Sequence, residues 1–157
     1  MNRPKFIMLM GLPGSGKSTF RTTHYDRDAF VHLSTDDLVD QEAEARHATY
    51  NDVWPEYIKE ATTRVNEMFQ TALKSKLNIV WDQTNLTAKK RLGVLRQVPK
   101  DYLKMVIYVQ TDEVERQRRL LDRPGKNIPA HIDKQMIGTL VVPTIEEGWD
   151  SVLMVRN

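Results

Sequence analysis

The strongest chemical signal in the sequence is a run of eight residues near its start. Gly11-Leu-Pro-Gly-Ser-Gly-Lys17-Ser18 fits the pattern G-x-x-x-x-G-K-[ST] in full. Glycines let backbone N–H groups curl around phosphate oxygens, and a helix that follows would point its positive end at the same anion. We therefore expect a nucleoside triphosphate here, with Lys17 at its β- and γ-phosphates and Ser18 on a magnesium ion. The loop residues predicted to hold ATP are Gly11, Pro13, Gly14, Ser15, Gly16, Lys17, Ser18 and Thr19.

Carboxylates follow the second and third apolar segments, and each is a candidate for the chemistry of phosphoryl transfer. Such a reaction needs a group that accepts the proton of the attacking hydroxyl and groups that hold the metal. We interpret Asp36 as the catalytic carboxylate and Asp37 as a helix cap or a support. The stretch 34–37 also fits a plain helix N-cap. Asp82 fits a carboxylate that reaches magnesium through water, and a turn residue is its other interpretation.

The elements that must position these residues follow an alternating order of short apolar runs and longer helical patterns. This order predicts βαβ units, in which polar groups at the carboxyl ends of parallel strands meet at one edge of the sheet. Strands are predicted at 5–10, 30–33, 78–82, 103–109 and 151–155. Helices are predicted at 17–25, 37–47, 55–76, 87–98 and from 111 to about 123, with a short one near 129. The predicted fold class is α/β, a three-layer P-loop kinase fold with a parallel sheet of about five strands and a short basic lid.

The longest helical pattern has apolar residues three and four apart, which predicts that one face packs against the sheet. Asn51 or Asp52 is its predicted cap, and Pro55 suits its first turn. Trp54 and Tyr57 in this region, like Trp81 in the third strand, have side chains that stack on nucleic-acid bases in other proteins. For Trp81 we prefer packing in the core, because its strand is apolar throughout.

Composition describes an ordinary globular domain. The 157 residues contain no cysteine, which excludes disulfides and thiolate metal sites. The apolar run near the N-terminus, residues 6–10, is too short for a signal peptide or a membrane span. We therefore expect a cytoplasmic protein without a membrane partner.

Charge is distributed unevenly along the chain. Nine acidic and three basic residues lie between Asp36 and Glu67, whereas eleven basic and five acidic residues lie between Lys89 and Lys126. An anionic substrate would be drawn to the second region, although a solvated surface of mixed helices has the same pattern. Within it, Lys89-Lys90-Arg91 is either a phosphate-contacting patch or ordinary surface.

These segments together resemble the 5′-kinase module of polynucleotide kinases, the end-healing enzymes of bacteriophages and eukaryotes. The resemblance covers nearly the whole chain and implies one P-loop kinase domain over residues 1–157, with a lid at about 116–137. Its motifs are the loop within residues 5–25, the pair Asp36-Asp37, the segment Asp82-Gln-Thr-Asn-Leu86, and a lid with Arg119, Arg123, Gly125, Lys126 and Pro129.

The resemblance also implies roles for individual residues. In that family the first aspartate of the pair is the general base, which is Asp36 here, and a lid arginine that stabilises the transferring phosphate corresponds to Arg123. Arg119 lies one helical turn earlier on the same face and would also contact ATP, whereas Arg116 and Arg118 are interpreted as solvated surface. A lid closed over ATP would exclude water. The implied catalytic residues are Lys17, Asp36 and Arg123, and the implied substrate contacts are Asp36, Asp37, Thr84 and Asn85.

One departure from the family bears on the acceptor. Phage 5′-kinases carry an arginine shortly after the aspartate pair that holds the acceptor's 3′-phosphate, and the matching residue here is Val39. No phosphatase domain is expected after the final strand. The leading acceptor is the 5′-hydroxyl of DNA or RNA.

Other acceptors stay open at this stage. The first alternative is the hydroxymethyl group of 5-hydroxymethyluracil in phage DNA, which would place the protein in a host cytoplasm. A nucleoside or other small molecule and a target of toxin-like kinases are further alternatives. The competing class of function is a nucleotide-dependent switch that transfers no phosphoryl group to an acceptor. The oligomeric state is left open.

Overall fold

Strands and helices alternate along residues 2–157, the part of the chain that the computed structural model describes. The strands are β1 (Lys5–Met10), β2 (Val31–Leu33), β3 (Ile79–Asp82), β4 (Leu103–Gln110) and β5 (Ser151–Arg156). The helices are α1 (Lys17–His24), α2 (Thr35–Ala45), α3 (Tyr50–Lys74), α4 (Ala88–Leu95), α5 (Glu113–Leu121) and α6 (Ala130–Thr139). A 3₁₀ turn at Ile145–Glu147, which the sequence did not predict, precedes β5.

The five strands form one sheet in the order β2-β3-β1-β4-β5, and every neighbouring pair is parallel. The strand that leads into the phosphate loop is therefore at the centre, with β3 beside it. Leu9 is paired with Asp82 in this register, so the carboxylate at the end of β3 lies next to the start of the loop. This confirms the predicted α/β class and the number of strands.

Alternating side chains of β1 face two separate apolar cores. Phe6, Met8 and Met10 face the larger core, which packs against α2, α3 and α4. Ile7 and Leu9 face the smaller one, which Phe20 of α1 covers. Helices thus lie on both faces of the sheet, the three-layer arrangement that a parallel sheet requires because both of its faces are buried.

The N-terminus of α3 differs from the prediction. Thr49 is the cap rather than Asn51 or Asp52, and Pro55 lies inside the helix rather than in its first turn. The reason is a reciprocal capping box: the Thr49 hydroxyl accepts the Asp52 N–H at 3.2 Å, and the Asp52 carboxylate accepts the Thr49 N–H at 3.2 Å. This motif starts the helix a full turn earlier and brings Tyr50 to the edge of the cleft described below.

No helix within residues 2–157 is both long enough and apolar enough to span a bilayer.

Candidate active site

The phosphate loop connects the end of β1 to the first turn of α1, so its amides and the helix N-terminus converge on one point. Gly16 is the helix cap, with φ of 95°, a conformation that a residue with a Cβ avoids. An added Cβ at Gly11 would lie 2.5 Å from the Val109 carbonyl oxygen and 2.8 Å from Ser15 Oγ. The sequence therefore needs glycine at both positions to form this cradle.

Lys17 and Ser15 show that the cradle fits an anion. The Lys17 ammonium group makes no ion pair within residues 2–157, and its one hydrogen bond is a long one, 3.5 Å, to the Leu12 carbonyl oxygen. Ser15 Oγ is buried and has no hydrogen-bond partner in the described chain. Burial lowers the pKa of Lys17, and the nearby Asp82 and Asp36 carboxylates partly offset this effect. A bound phosphate would supply the missing counter-charge and acceptor oxygens.

Asp36 lies in the first turn of α2 and lines the same cleft as the phosphate loop. Its Oδ1 accepts the Tyr50 hydroxyl at 2.7 Å, and its Oδ2 is 3.1 Å from the Lys126 ammonium group. Burial acts to raise the pKa of Asp36, but Lys126 and the Tyr50 hydroxyl outweigh it, so the net pKa is lowered. The carboxylate is thus ionised and held on both oxygens.

Asp37 is a support rather than a helix cap. Ser34 is the cap of α2, and its hydroxyl accepts the Asp37 N–H at 3.2 Å. The Asp37 carboxylate contacts Arg21 at 2.9 Å, and Arg21 Nε is 3.3 Å from Asp82 Oδ2. Arg21 is 2% exposed, so one buried guanidinium joins both aspartates beneath the phosphate loop.

Asp82 is buried at the carboxyl end of β3, close to both Lys17 and Arg21. Burial raises its pKa, against the opposing effect of these two cations. Ser18, on the first turn of α1, is exposed to the same cleft. No group of three or more His, Asp or Glu side chains in the described range 2–157 is arranged to hold a metal. Magnesium at Ser18 and Asp82 would therefore depend on water and phosphate oxygens, the ligands it keeps in nucleotide sites.

Thr84 and Asn85, predicted to contact substrate, line the cleft but also hold the loop together. The Thr84 carbonyl oxygen accepts the Gly11 N–H at 3.1 Å. The Asn85 amide donates to the Leu9 carbonyl oxygen at 2.8 Å and accepts the Trp81 indole N–H at 3.3 Å. These bonds use the Asn85 side chain to hold the loop in place. A substrate contact by Asn85 therefore stays a prediction.

Three lid arginines have three different environments. Arg116 was predicted to be solvated, and this was wrong: it is buried and forms two-pronged contacts with Asp133 at 2.7 and 2.8 Å. It also donates to the Pro13 carbonyl oxygen at 3.0 Å, which ties α5 and α6 to the phosphate loop. Arg118 is exposed, as predicted. Arg119 donates to the Gly14 carbonyl oxygen at 3.2 Å, so it does lie at the loop.

Arg123 is half-buried in the loop between α5 and α6 and lines the cleft. Its guanidinium has no hydrogen bond or ion pair with residues 2–157. Burial lowers the pKa of Lys17 and the charge of Arg123 adds to this effect, whereas at Tyr50 burial and Asp36 raise the pKa against the opposing charge of Arg123. An uncompensated cation at this place is available to an anionic ligand.

The basic cluster at the start of α4 divides into two parts. Arg91 is fully buried, with two hydrogen bonds to the Glu147 carboxylate at 2.8 and 2.9 Å and one to the Asn85 carbonyl oxygen at 2.9 Å. Neither predicted role fits Arg91, since it is part of the core. Lys90 lines the cleft, and Lys89 is exposed.

The phosphate loop, Asp36, Asp82 and the lid loop line one cleft of about 2110 Å³ between α2, α3, the lid and the carboxyl edge of the sheet. Trp54 lines it and is 43% exposed, whereas Tyr57 is buried with its hydroxyl bonded to Arg64 at 2.7 Å. Trp81 packs on Phe69 in the core, as predicted, and borders the cleft with 7% of its surface exposed. Of the three aromatic residues, Trp54 is thus the most exposed to a ligand.

Sequence reasoning missed two contributors to this site. Arg21 lies one helical turn after Lys17, and this spacing was a usable signal that it faces the same carboxylates. Tyr50 carried no local signal, because its contact with Asp36 depends on how α2 packs against α3. Lys126 was noted within the lid motif but was given no role.

Comparison with known proteins agrees with this geometry. A family model described as an AAA domain matches residues 6–142, most of the chain. A protein from Chloroflexus aurantiacus is 16% identical and superposes with a TM-score of 0.72, over 99% of this chain and 89% of its own. One chain of the Pnkp1/Rnl/Hen1 RNA repair complex is 24% identical, with a TM-score of 0.65 over 89% of this chain and 45% of its own. A gluconokinase from Sinorhizobium meliloti is 19% identical, with a TM-score of 0.62 over 99% and 84%. At these identities the likeness establishes the P-loop kinase fold.

Proposed function

Because the chain belongs to the AAA domain family, we propose that it is an ATP-dependent kinase that transfers the γ-phosphoryl group to an alcohol hydroxyl. One observation carries the proposal: the phosphate loop and the Asp36 carboxylate line the same cleft, close enough for Lys17 to act on the Asp36 carboxylate. A phosphate site and a carboxylate with space between them are the two parts that in-line transfer to a hydroxyl requires.

The nucleotide site is assigned to the loop and its neighbours. The loop amides and Lys17 hold the phosphates, while Ser18 and, through water, Asp82 hold magnesium. When bound, ATP supplies the phosphoryl group and magnesium neutralises part of its charge. Arg119 and Arg123 contribute positive charge from the lid side.

Asp36 is assigned as the base on the acceptor side. It receives the proton of the acceptor hydroxyl while that oxygen bonds to phosphorus and ADP departs. Arg123 stabilises the negative charge that spreads over the phosphoryl oxygens. The lid loop above the cleft excludes water, which would otherwise accept the phosphoryl group in place of the substrate.

The first candidate acceptor is a nucleic-acid hydroxyl, most simply the 5′-hydroxyl of DNA or RNA. The motif pattern resembles polynucleotide kinases, and a chain of an RNA repair complex is among the similar folds. Val39, at the position of the phage phosphate-binding arginine, is fully buried in the core and is not among the residues that line the cleft. This favours an acceptor that does not need a protein group to bind a 3′-phosphate. A hydroxymethyl group on a base in phage DNA is such an acceptor.

A small alcohol is a second candidate, and the acidic side of α2 favours it. Asp36, Asp40 and Glu44 are each four residues apart and all line the cleft. A row of carboxylates repels phosphodiesters but tolerates a neutral or cationic molecule.

Labelled transfer from [γ-³²P]ATP separates these acceptors. The protein is incubated with a 5′-hydroxyl oligonucleotide, with a covalently closed duplex circle that contains hydroxymethyluracil, and with a panel of nucleosides and sugars. Label on the oligonucleotide alone supports end phosphorylation, and label on the circle, which has no ends, supports base modification. Label on small molecules alone supports the second candidate. Slow release of phosphate with label on none of them would refute the kinase proposal in favour of a nucleotide-dependent switch.

Lys17→Ala is the control for nucleotide use in this assay. It removes the ammonium group at the loop without adding bulk, so we expect loss of most transfer activity with the unfolding midpoint preserved. Lys134→Ala, an exposed lysine on α6, serves as the matched substitution and should leave transfer unchanged.

A further inference from the structure

The lid loop between α5 and α6, residues 122–129, is docked onto the start of α3. The Asn51 N–H donates to the Gly125 carbonyl oxygen at 2.9 Å, and the Asn127 N–H donates to Asn51 Oδ1 at 3.2 Å. Gly125 has φ of 71°, and a Cβ there would lie 2.6 Å from Thr49 Cβ. The loop thus rests against α3 so closely that only glycine fits at its contact point.

Docking brings Lys126 onto the proposed base. Its ammonium group is 3.1 Å from Asp36 Oδ2 and 4.1 Å from the centre of the Tyr50 ring, a cation–π contact. The Lys126 side chain is 18% exposed, whereas that of Asp36 is 57% exposed. The lysine is therefore enclosed by the loop and the tyrosine, while the carboxylate still faces the cleft.

Both oxygens of the Asp36 carboxylate are occupied in this arrangement. Each carboxylate oxygen has two lone pairs, so an acceptor hydroxyl can still donate a hydrogen bond to either oxygen while both partners stay in place. Tyr50 is fixed in the first turn of α3 and holds Oδ1 at 2.7 Å. Lys126 is in a loop and holds Oδ2 at 3.1 Å. The carboxylate is therefore held by a helix through one oxygen and by the lid loop through the other.

We propose that Tyr50 and Lys126 are positioning residues for Asp36: Tyr50 fixes the carboxylate through Oδ1, and Lys126 fixes it through Oδ2 when the lid loop is docked on α3. This inference rests on the proposed function in one respect, since it takes Asp36 as the base. While Lys126 is bound, the Asp36 carboxylate stays ionised and still faces the cleft. When Lys126 departs, the carboxylate loses a cation, so its affinity for the acceptor's proton increases.

Other charges also act on Asp36 and have to be held constant in a test. Lys17 faces it from the phosphate loop, and Arg123 belongs to the same lid loop as Lys126. Asp37 and Asp40 follow it on α2, and Asp82 lies at the end of β3. Substitution of Lys126 alone leaves all of these groups in place.

The pKa of Asp36 is measured directly by ¹³C NMR titration of protein labelled at aspartate side-chain carboxyl carbons, with Asp36→Asn to assign its resonance. We expect the Asp36 pKa to rise in Lys126→Gln and in Tyr50→Phe, because each removes a group that stabilises the ionised carboxylate. Lys126→Arg should restore the low value, and Lys134→Gln should leave it unchanged. An unchanged Asp36 pKa in folded Lys126→Gln would overturn the proposal, whether or not the protein proves to be a kinase.

Steady-state kinetics adds a readout that a purely structural tether would not change. The acidic limb of the kcat/KM profile should move to higher pH in Lys126→Gln, because the base then becomes protonated at a higher pH. A higher acceptor KM with an unmoved acidic limb would show that Lys126 only ties down the lid. If the NMR shift occurs but no acceptor is phosphorylated, the contact stands while the proposed function fails.

Discussion

At the scale of single residues, the site depends on buried charges that compensate one another. Arg21 is the centre of this arrangement, because it contacts both Asp37 and Asp82 from within the protein. Arg27, the second ion-pair partner of Asp37, is 60% exposed at its side chain, and Lys17 acts on Asp82 from the phosphate loop without an ion pair in residues 2–157. The carboxylates beside the phosphate loop are therefore held in place by one guanidinium.

Replacement of Arg21 by Met should destabilise the fold by about 3–5 kcal/mol, because it leaves two carboxylates without their buried partner. Arg27→Gln, which removes the exposed partner of the same Asp37, should cost at most about 1 kcal/mol. Urea unfolding monitored by circular dichroism measures both. Equal and small losses in the two variants would show that Arg21 does not compensate the buried carboxylates.

The sequence revealed the chemistry of single residues better than their partners. The loop Gly11–Ser18 could be interpreted from local spacing alone, because all residues of the phosphate-binding motif are consecutive in the sequence. Arg116 was interpreted as solvated surface, and Arg91 as either a phosphate contact or ordinary surface, because a charged residue on a helix is usually solvated. Their burial depends on Asp133 and Glu147, which are 17 and 56 positions away, and a local pattern does not contain such pairings.

At the scale of elements, α5 and α6 act as one unit that is fixed to the phosphate loop. Arg116 of α5 joins Asp133 of α6 to the Pro13 carbonyl oxygen. Hydrogen bonds from Arg116 lower the pKa of Asp133. Such a carboxylate contributes stability above its unfolded-state pKa, about 3.9, and loses that contribution as pH falls through its lower folded-state value.

Asp133→Asn should therefore reduce stability by about 3 kcal/mol at pH 7, since it breaks a buried ion pair. The difference from the wild type should stay constant down to about pH 5 and shrink at lower pH, where Asp133 is protonated in both states. Urea unfolding at several pH values measures the difference. A gap that stays the same at low pH would mean that the charge of Asp133 is not what stabilises the lid.

The docking of the lid loop onto α3 depends on glycine at position 125. Gly125→Ala forces a residue with a Cβ into a left-handed conformation against Thr49, at a cost of about 1–2 kcal/mol. The loop should open more often, so that trypsin cleaves after Lys126 about 5–30 times faster. Gly138→Ala on α6, where a Cβ would meet nothing within 4 Å, is the matched control and should not change cleavage. Identical rates would show that the loop is not held by this contact.

At the scale of the whole molecule, a parallel sheet gathers residues from distant parts of the chain at its carboxyl edge. The alternation of apolar runs with helical patterns was sufficient to predict this sheet, because period and order are properties of the sequence itself. The contact between Lys126 and Asp36 joins residues 90 positions apart. It arises only when α2, α3 and the lid are packed together, so the sequence predicted the cleft but not the contact of the lid with Asp36.

The proposed kinase also depends on the whole molecule, since no single element contains both the nucleotide site and Asp36. Two matched substitutions on α2 test whether Asp36 is the base. Asp40 is one turn after Asp36 on α2 and lines the same cleft, but its carboxylate has no hydrogen bond with residues 2–157. Asp36→Asn and Asp40→Asn thus make the same chemical change at neighbouring places.

The most direct measurement is the single-turnover rate of phosphoryl transfer from [γ-³²P]ATP to the preferred acceptor in these two variants. We predict that Asp36→Asn lowers the rate by about 10²–10⁴-fold while ATP still binds, because the acceptor has lost its base. Asp40→Asn should lower the rate far less than Asp36→Asn does, because it leaves the proposed base in place. Wild-type transfer by Asp36→Asn would contradict the assignment of Asp36 as the base.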